Sequence, residues 1–417
     1  GTETCARPIS AVPRRFRVSC FSSYRVYWRP ASQRSTPGEY IMQRTDDPIA
    51  LAQKLVRCNT ISGGDERAAL DILAPLLEEA GFSVTFDFYD PANPKRCSLS
   101  ARIGEGPSLL LCGHIDTVPL GAAPWDFDPL KGEISDRKLL GRGASDMKSG
   151  AAALTLAACA EGRLAAKAGK SVTVQIYGGE ETGCEGSFHM AGNKTFMKNV
   201  KAAIVGEPSG ALPLCGHKGT LWMKAVSKGV TAHGSMPEKG VNALDRLIRF
   251  GSRMLESFRL EGEHPVLGHG TWIFSTMKAG LNINSVPDSA ALTLDIRTIP
   301  GQDNAEIRDR VIALAEGEAE FGTLLDIPPV WTDPDKGWLS HAFDVLTPFL
   351  GGRPGPMSVA FFTGAAALRS VMPDLPVLIL GPGPSSEAHQ TNEFCPTDQI
   401  TACYSMYRAL LNDWAKG

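Results

Sequence analysis

The sequence predicts an α/β protein whose doubly wound sheet is interrupted by a second, inserted domain. Strand-like and helix-like segments alternate along most of the chain, which is typical of a sheet covered by helices on both faces. After Cys215 the order changes to βαββαβ, the pattern of a ferredoxin-like unit. The 417 residues also exceed the roughly 250 to 300 that a single hydrophobic core usually supports.

Hydrophobic periodicity places the first elements of the main domain. Leucines at helical spacing predict one helix after Asp47 and a second that ends near Gly81. Apolar or alternating runs predict strands, and an Ala-rich run predicts a helix just after Asp146. The predicted strands are 83–89, 109–112, 138–140, 171–177 and 201–205, and the Ala-rich helix is 149–160.

The same patterns place the insertion and the return to the main domain. The inserted elements are a strand at 220–230, a helix at 242–258, strands at 271–277 and 290–297, a helix at 304–321 and a strand near Leu324. A helix at 339–350 and a strand at 377–380 resume the main fold. We therefore expect a main domain formed by 42–214 and 331–417, with an insertion at 215–330.

Residues 1–41 differ from everything after them. They contain seven Arg, two Glu and many Ser, show no hydrophobic periodicity, and start at Gly1. One interpretation is a transit-like leader. The other, which we favour, is upstream sequence included before a start at Met42, because a targeting peptide ordinarily begins with Met and shows a helical stripe. We expect this segment to be non-native or disordered.

Composition excludes several classes of protein. A formal net charge of −3 provides no basic surface for nucleic acid, and no apolar run approaches the roughly 20 residues of a membrane-spanning helix. The ten cysteines form no CxxC pair, which argues against a disulfide framework or zinc fingers and favours reduced thiols in the cytoplasm. Metal sites built from His, Asp and Glu remain open.

Segment 109–120 is the first place where reactive side chains follow a buried strand. The run Leu-Leu-Leu-Cys leads directly to His114 and Asp116. Residues two apart in an extended strand project from the same face, so we expect these two side chains to converge while Ile115 points into the core. For this segment alone, a core histidine beside a turn acid is an equally good interpretation.

Similar residues follow three other predicted strands. Glu180 with Glu181, Glu207 and His389 each come after a glycine that ends an apolar run, and Asp146 lies in a tight loop. Ligands bind beyond the carboxyl ends of the strands in open α/β sheets, so we expect these residues to converge. Singly they could be solvated acids, an N-cap and a surface histidine. Together, two histidines with several carboxylates suit a pair of divalent cations such as zinc.

These motifs resemble those of the M20 family of zinc aminoacylases and exopeptidases. The resemblance extends from about Asp46 to the end of the chain. The matching segments are GHIDTVP at 113–119, GRGASDMKSG at 141–150, GEETG at 179–183, GEP at 206–208, GPG at 381–383 and AHQ at 388–390. The resemblance implies a zinc-exopeptidase-like mixed-sheet catalytic domain with an inserted domain that serves as a lid and in dimerisation. It therefore also implies a homodimer.

The resemblance implies a role for each residue of the cluster. Two zinc ions are implied, with cobalt as a possible substitute. The first would be held by His114, Glu207 and Asp146, and the second by Glu181, His389 and the same bridging Asp146. Asp116 would orient His114 from behind. Glu180 would be the general base that accepts a proton from the attacking water and passes it to the leaving amine.

The resemblance also extends to substrate contacts in the insertion. His233 would reach a partner subunit's active site and stabilise the oxyanion. Asn284 and Arg297 would bind the substrate carboxylate, although Arg297 could instead be a structural ion-pair partner. Thr363 is a further candidate contact. The residues after it, Gly-Ala-Ala-Ala, include no acid where relatives usually carry one, which leaves the substrate contacts there unassigned.

We therefore expect a di-zinc hydrolase that cleaves the amide bond of N-acyl amino acids, in the manner of acetylornithine deacetylase. The alternatives are a dipeptidase or carboxypeptidase of the same family, or a succinyl-diaminopimelate desuccinylase. A non-catalytic binding protein would have lost Glu180 or a metal ligand, and all of these are present. No GxSxG motif supports a serine hydrolase. The expected partners are a small N-acyl amino acid or short peptide and a second copy of the chain.

Overall fold

The computed structural model describes residues 47–417, so the predictions for residues 1–41 and for a start at Met42 lie outside the described part. The helices are α1 (Pro48–Val56), α2 (Arg67–Glu79), α3 (Ser149–Lys167), α4 (Glu185–Ala191), α5 (Ala243–Ser257), α6 (Asn304–Ala313), α7 (Gly337–Leu350), α8 (Ala365–Val371) and α9 (Thr397–Lys416). The strands are β1 (Ser83–Phe88), β2 (Cys97–Ile103), β3 (Ser108–His114), β4 (Glu133–Ser135), β5 (Lys138–Leu140), β6 (Ser171–Tyr177), β7 (Val200–Val205), β8 (Gly216–His217), β9 (Gly219–Lys228), β10 (Thr271–Ala279), β11 (Ser289–Thr298), β12 (Glu320–Ile327), β13 (Val330–Trp331), β14 (Val377–Ile379) and β15 (Phe394–Pro396).

The main sheet is mixed and has the strand order β1-β2-β6-β3-β7-β14. Strands β6, β3, β7 and β14 are parallel, whereas β1 and β2 are joined to them by antiparallel pairing. The carboxyl ends of the four parallel strands therefore lie along one edge. This arrangement confirms the predicted α/β sheet and places the candidate residues after β3, β6, β7 and β14 at the same edge.

The alternation of side chains in β3 explains why both faces of the sheet are covered. Leu109 and Leu111 belong to a core cluster that includes residues of α1, α2, α3, α7 and α9. Leu110 and Cys112 belong to a second cluster that includes residues of α4 and α8. A strand buried on both faces is a continuous apolar run, as the sequence shows here. The helices on both faces confirm the doubly wound arrangement.

The segment from β9 to β12 forms a second sheet with its own core. Its order is β10-β11-β9-β12, all antiparallel, with α5 after β9 and α6 after β11. This is the βαββαβ arrangement that the sequence predicts. A separate apolar cluster includes residues of these strands and both helices. Strand β8 immediately precedes this segment, β13 immediately follows it, and the two short strands pair with each other.

The prediction of a helix at 304–321 is wrong for the second half of this range. Helix α6 ends at Ala313, and β12 already begins at Glu320. Glu316 and Gly317 both adopt positive φ, at 49° and 77°, and a left-handed pair cannot continue a right-handed helix. The prediction also omitted β2, α4, α8 and the long C-terminal helix α9.

Two exclusions made from composition can be compared with the structure. No disulfide bond joins any of the described cysteines, which are residues 58, 97, 112, 159, 184, 215, 395 and 403, and this is consistent with the expectation of reduced cysteines. Within residues 47–417, no helix has both the length and the apolar character required to cross a bilayer.

Candidate metal centre

The residues predicted from four strand ends and one loop do lie together. Their donor atoms form two groups that share Asp146, with the atoms of each group within 4.8 Å of one another. In the first, His114 Nε2 is 3.0 Å from Asp146 Oδ1 and 3.8 Å from Glu207 Oε2. In the second, His389 Nε2 is 2.9 Å from Glu181 Oε2 and 3.5 Å from Asp146 Oδ2. The two Asp146 oxygens thus face different histidines, as a bridging carboxylate requires.

The orientation of His114 differs in detail from the expectation. Strand β3 ends at His114, and Ile115 is fully buried in the core as predicted. The His114 Nδ1 atom is 2.9 Å from the main-chain carbonyl of Asp116 but 3.6 Å from its carboxylate. A carbonyl can only accept, so Nδ1 carries a proton and donates it to this carbonyl, which directs Nε2 at Asp146 and Glu207. The Asp116 backbone, rather than its carboxylate, therefore makes the hydrogen bond that orients His114.

The Asp116 carboxylate instead positions the paired acids. Its Oδ1 accepts the main-chain N–H of Glu180 and its Oδ2 accepts that of Glu181, both at 3.1 Å. Ser62 Oγ donates to Oδ2 at 3.2 Å. Asp116 is fully buried, so these contacts fix the start of the Glu180-Glu181 turn relative to β3.

The electrostatics of the cluster fit a divalent metal pair. Burial raises the pKa of Glu180 to about 8 and that of Glu207 well above its ordinary value, and the neighbouring acids add to both shifts. Glu181 Oε1 is buried and has no hydrogen-bond partner in the described chain. Cations would remove the cost of ionising these carboxylates. Imidazole nitrogens with carboxylate oxygens are a donor set that zinc and similar ions accept.

Sequence reasoning missed a cysteine beside the candidate base. Cys184 is buried and its thiol donates to Glu180 Oε1 at 3.3 Å. The Cys184 main-chain N–H also donates to the Glu180 carbonyl, at 2.8 Å. These contacts fix one oxygen of the Glu180 carboxylate. The spacing Glu-Glu-x-x-Cys carries no general signal for such a contact, because it depends on the left-handed conformation of Cys184, at φ 61°.

A buried ion pair, Arg142 with Glu393, was also missed. The two side chains are 2.7 Å apart, with 2% of Arg142 and none of Glu393 exposed. Glu393 accepts the main-chain N–H groups of Gly143, Ser145 and Asp146 at 2.8 to 3.0 Å. Arg142 donates to the carbonyls of residues 119 and 390. This pair thereby joins the loops that carry His114, Asp146 and His389.

Glu393→Gln is expected to lower the free energy of unfolding by roughly 3 to 5 kcal/mol, because it leaves Arg142 buried without a charge partner. The amide nitrogen would also face main-chain N–H donors. Urea denaturation measures the change. The matched control is Glu133→Gln in the exposed Lys131–Glu133 pair, where less than about 1 kcal/mol is expected. A loss of that smaller size in Glu393→Gln would contradict the prediction.

A second buried acid, Glu66, lies behind the Glu180 turn. It is fully buried, accepts the Tyr89 hydroxyl at 2.7 Å and the Cys97 N–H at 3.2 Å, and adjoins Gly178. Burial raises the pKa of Glu66 to about 7 from an ordinary 4.5, despite the Tyr89 hydrogen bond. The folded state therefore holds this proton more tightly than the unfolded chain does.

The raised pKa of Glu66 gives a pH dependence with a definite sign. Its stabilising contribution is fully present below about pH 4.5 and is lost as the pH rises through about 7. Glu66→Gln resembles the protonated acid, so at pH 8 it is expected to be more stable than the wild type by up to about 3 kcal/mol, with little difference at pH 5. Denaturation at both pH values measures this. The control is Glu79→Gln, an exposed position on α2; a wild type that is equally or more stable at pH 8 contradicts the prediction.

Two of the candidate substrate contacts, His233 and Asn284, lie in the loops that follow β9 and β10. His233 is exposed and its Nδ1 contacts Ser235 Oγ at 2.8 Å. Asn284 is also exposed, and its carbonyl accepts the Gly234 N–H, so the loops of Asn284 and His233 adjoin. Neither residue lines the cavity at the cluster. Their proposed roles remain predictions.

Arg297 already has partners within the second sheet. Its Nε is 2.8 Å from Asp295 Oδ1, and one terminal nitrogen donates to Thr220 Oγ1 at 2.7 Å. This is the geometry expected of a structural ion-pair partner, the alternative that the sequence left open. A role in carboxylate binding would require Arg297 to exchange or share these contacts.

Thr363 lies beside the cavity without lining it. Its side chain is fully buried and accepts the Ala365 N–H at 3.1 Å, at the start of α8. The two preceding residues, Phe361 and Phe362, line the cavity instead. No pattern in the sequence selects these two phenylalanines. Thr363 remains a prediction as a substrate contact, with these phenylalanines as better-placed candidates.

Comparison with known proteins agrees with this geometry. Residues 110–413 match the model of peptidase family M20/M25/M40. An acetylornithine deacetylase of Vibrio campbellii is 31% identical over 371 residues, covering 84% of this chain and 94% of that protein. A succinyl-diaminopimelate desuccinylase of Methylorubrum extorquens is 30% identical over 379 residues, covering 86% and 97%. The solved structure of an M20 family metallo-carboxypeptidase of Sulfolobus solfataricus has a TM-score of 0.71, 17% identity and coverage of 90% and 100%.

Proposed function

We propose that this chain, which belongs to peptidase family M20/M25/M40, binds two divalent metal ions and hydrolyses the amide bond of N-acyl amino acids. It is a metallohydrolase of that family. The observation that carries the proposal is the pair of ligand groups that share Asp146, with the buried Glu180 beside them. Its relatives named acetylornithine deacetylase and succinyl-diaminopimelate desuccinylase support a substrate with an amide next to a free carboxylate.

The proposed metal ligands are the five residues of the two groups. They are His114, Glu207 and Asp146 for one ion and Glu181, His389 and Asp146 for the other. Zinc is the metal we propose, with cobalt as a substitute. When bound, such ions polarise the amide carbonyl and lower the pKa of water.

Side chains of the protein would transfer the proton of the attacking water to the leaving amine. Glu180 is 5% exposed and lines the cavity, where its carboxylate accepts a proton from the attacking water. It then gives this proton to the nitrogen of the leaving amine. Asp116 maintains the turn that presents Glu180, through the main-chain hydrogen bonds described above, and the Cys184 thiol fixes the orientation of its carboxylate. Burial keeps competing water away from these groups.

We further propose that the chain forms a homodimer through the second sheet. Strand β10 is an edge strand, and large apolar side chains that line one groove between it and α5 are exposed: Met277 47%, Ile248 50% and Leu255 63%. Monomers rarely leave such a patch uncovered. In this proposal His233, exposed on the same segment, would serve the partner's site. Light scattering of the full chain and of Leu255→Lys tests it; a wild-type monomer would reject the dimer.

A cytoplasmic location is proposed because no disulfide bond joins the described cysteines. Cell fractionation tests it, and recovery only from a membrane or secreted fraction would reject it.

The function is tested by loading the full chain with zinc or cobalt and assaying N-acetyl amino acids, N-succinyl amino acids and dipeptides. Release of the free amine from the N-acyl amino acids, and its absence after chelation, are expected. Turnover of dipeptides alone would assign the chain to the peptidases of the same family. Failure of the metal-loaded chain to hydrolyse any of these amides would reject the proposal.

A further inference from the structure

The cavity at the carboxylate cluster has lining residues that the mechanism does not use. Its volume is about 240 Å³. Five of its lining residues belong to the cluster, and the remaining four are Phe361, Phe362, Ser385 and Ala388. Both phenylalanines are only partly buried, so their rings can contact a bound molecule. We call these four residues the uncharged wall.

No Lys or Arg of the described chain lines this cavity. The two buried cations in the Asp146 loop are engaged elsewhere. Arg142 pairs with Glu393 at 2.7 Å, and Lys148 Nζ donates to the Cys58 carbonyl at 2.8 Å. A carboxylate placed against Phe361 and Phe362 would therefore lose its water without gaining a Lys or Arg partner.

The two parts of an N-acyl amino acid differ in charge and therefore in the groups that can bind them. The amino-acid half carries a carboxylate, which needs a cation that the uncharged wall lacks. The half on the other side of the amide is the acyl group. An apolar acyl group can bind against the uncharged wall, because the transfer of apolar surface from water to aromatic rings has a favourable free energy.

We propose that the uncharged wall selects substrates whose acyl group is apolar and larger than acetyl, either aliphatic or aromatic. This inference rests on the proposed function and adds the substrate class to it. It separates the chain from enzymes that remove a succinyl group, since succinyl would bring a second carboxylate into the cavity. Phe361 and Phe362 are then the residues that determine acyl specificity.

A matched pair of substrates tests the proposal. N-succinyl and N-(4-methylpentanoyl) derivatives of one amino acid have the same number of non-hydrogen atoms and differ in charge. The amino acid is one whose N-acetyl derivative the metal-loaded wild type hydrolyses. We expect kcat/KM to be about 100-fold higher for the 4-methylpentanoyl derivative and higher for it than for the acetyl derivative. Equal or better turnover of the succinyl derivative overturns this proposal and leaves the proposed function intact, whereas no turnover of any N-acyl amino acid overturns both.

Variants of Phe361 and Phe362 test whether these residues determine the preference for an apolar acyl group. Phe362→Lys supplies an ammonium for the succinyl carboxylate and is expected to lower the 4-methylpentanoyl-to-succinyl ratio at least about 10-fold. Phe361→Lys is the second variant, and circular dichroism verifies the fold of each. The control, Phe88→Lys, changes a phenylalanine on β1 that is 46% exposed and should leave the ratio unchanged. An unchanged ratio in a folded wall variant overturns the assignment to these residues.

Discussion

Glu180→Gln is expected to lower kcat by about 10²- to 10⁴-fold, the usual contribution of a general base. The amide has nearly the shape of the carboxylate but cannot accept the proton of the attacking water. Neither ligand group includes Glu180, so the variant should still bind two metal ions. Steady-state kinetics and metal analysis on the same preparation measure both properties.

The control for this change is Glu105→Gln, an exposed acid away from the cavity, which should retain wild-type kcat. Wild-type turnover by Glu180→Gln would remove Glu180 from its role. A parallel loss of bound metal would instead show that Glu180 supports the metal centre and would leave its role as a base without support.

Asp146→Ala is expected to lose both metal ions and to lower kcat/KM by on the order of 10³-fold or more. The reason is geometric, because each oxygen of the Asp146 carboxylate faces a different histidine, at 3.0 and 3.5 Å. His389→Ala should lose only one ion, since His114, Glu207 and Asp146 remain as a complete group. Metal analysis after dialysis distinguishes the two variants.

The control for the second prediction is Asp309→Ala on α6, where the side chain is 75% exposed. It should retain two ions. If Asp146→Ala retains one ion as firmly as His389→Ala does, then Asp146 does not bridge the two groups, and the site consists of separate mononuclear centres.

The sequence by itself determined the alternation of strands and helices and the polar residues that meet at one edge of the sheet, while the assignment of five of them as metal ligands came from the resemblance to the M20 family. In β3 the continuous apolar run predicts burial on both faces, and the polar residues after β3, β6, β7 and β14 mark one edge of the sheet. Both conclusions depend on local spacing, which the printed sequence contains. The second sheet followed in the same way from the order of its strands and helices.

Only the tertiary structure decided which groups support the cluster. Glu393 lies 247 positions from the Asp146 N–H that it accepts, and no local pattern connects them. The same is true of Phe361 and Phe362, which reach the cavity because α8 packs against the sheet. The structure likewise placed Asp116 under the Glu180-Glu181 turn and assigned the hydrogen bond of His114 to a main-chain carbonyl. Contacts of this kind depend on distances between segments far apart in the chain, whereas hydrophobic periodicity carries information only about neighbours.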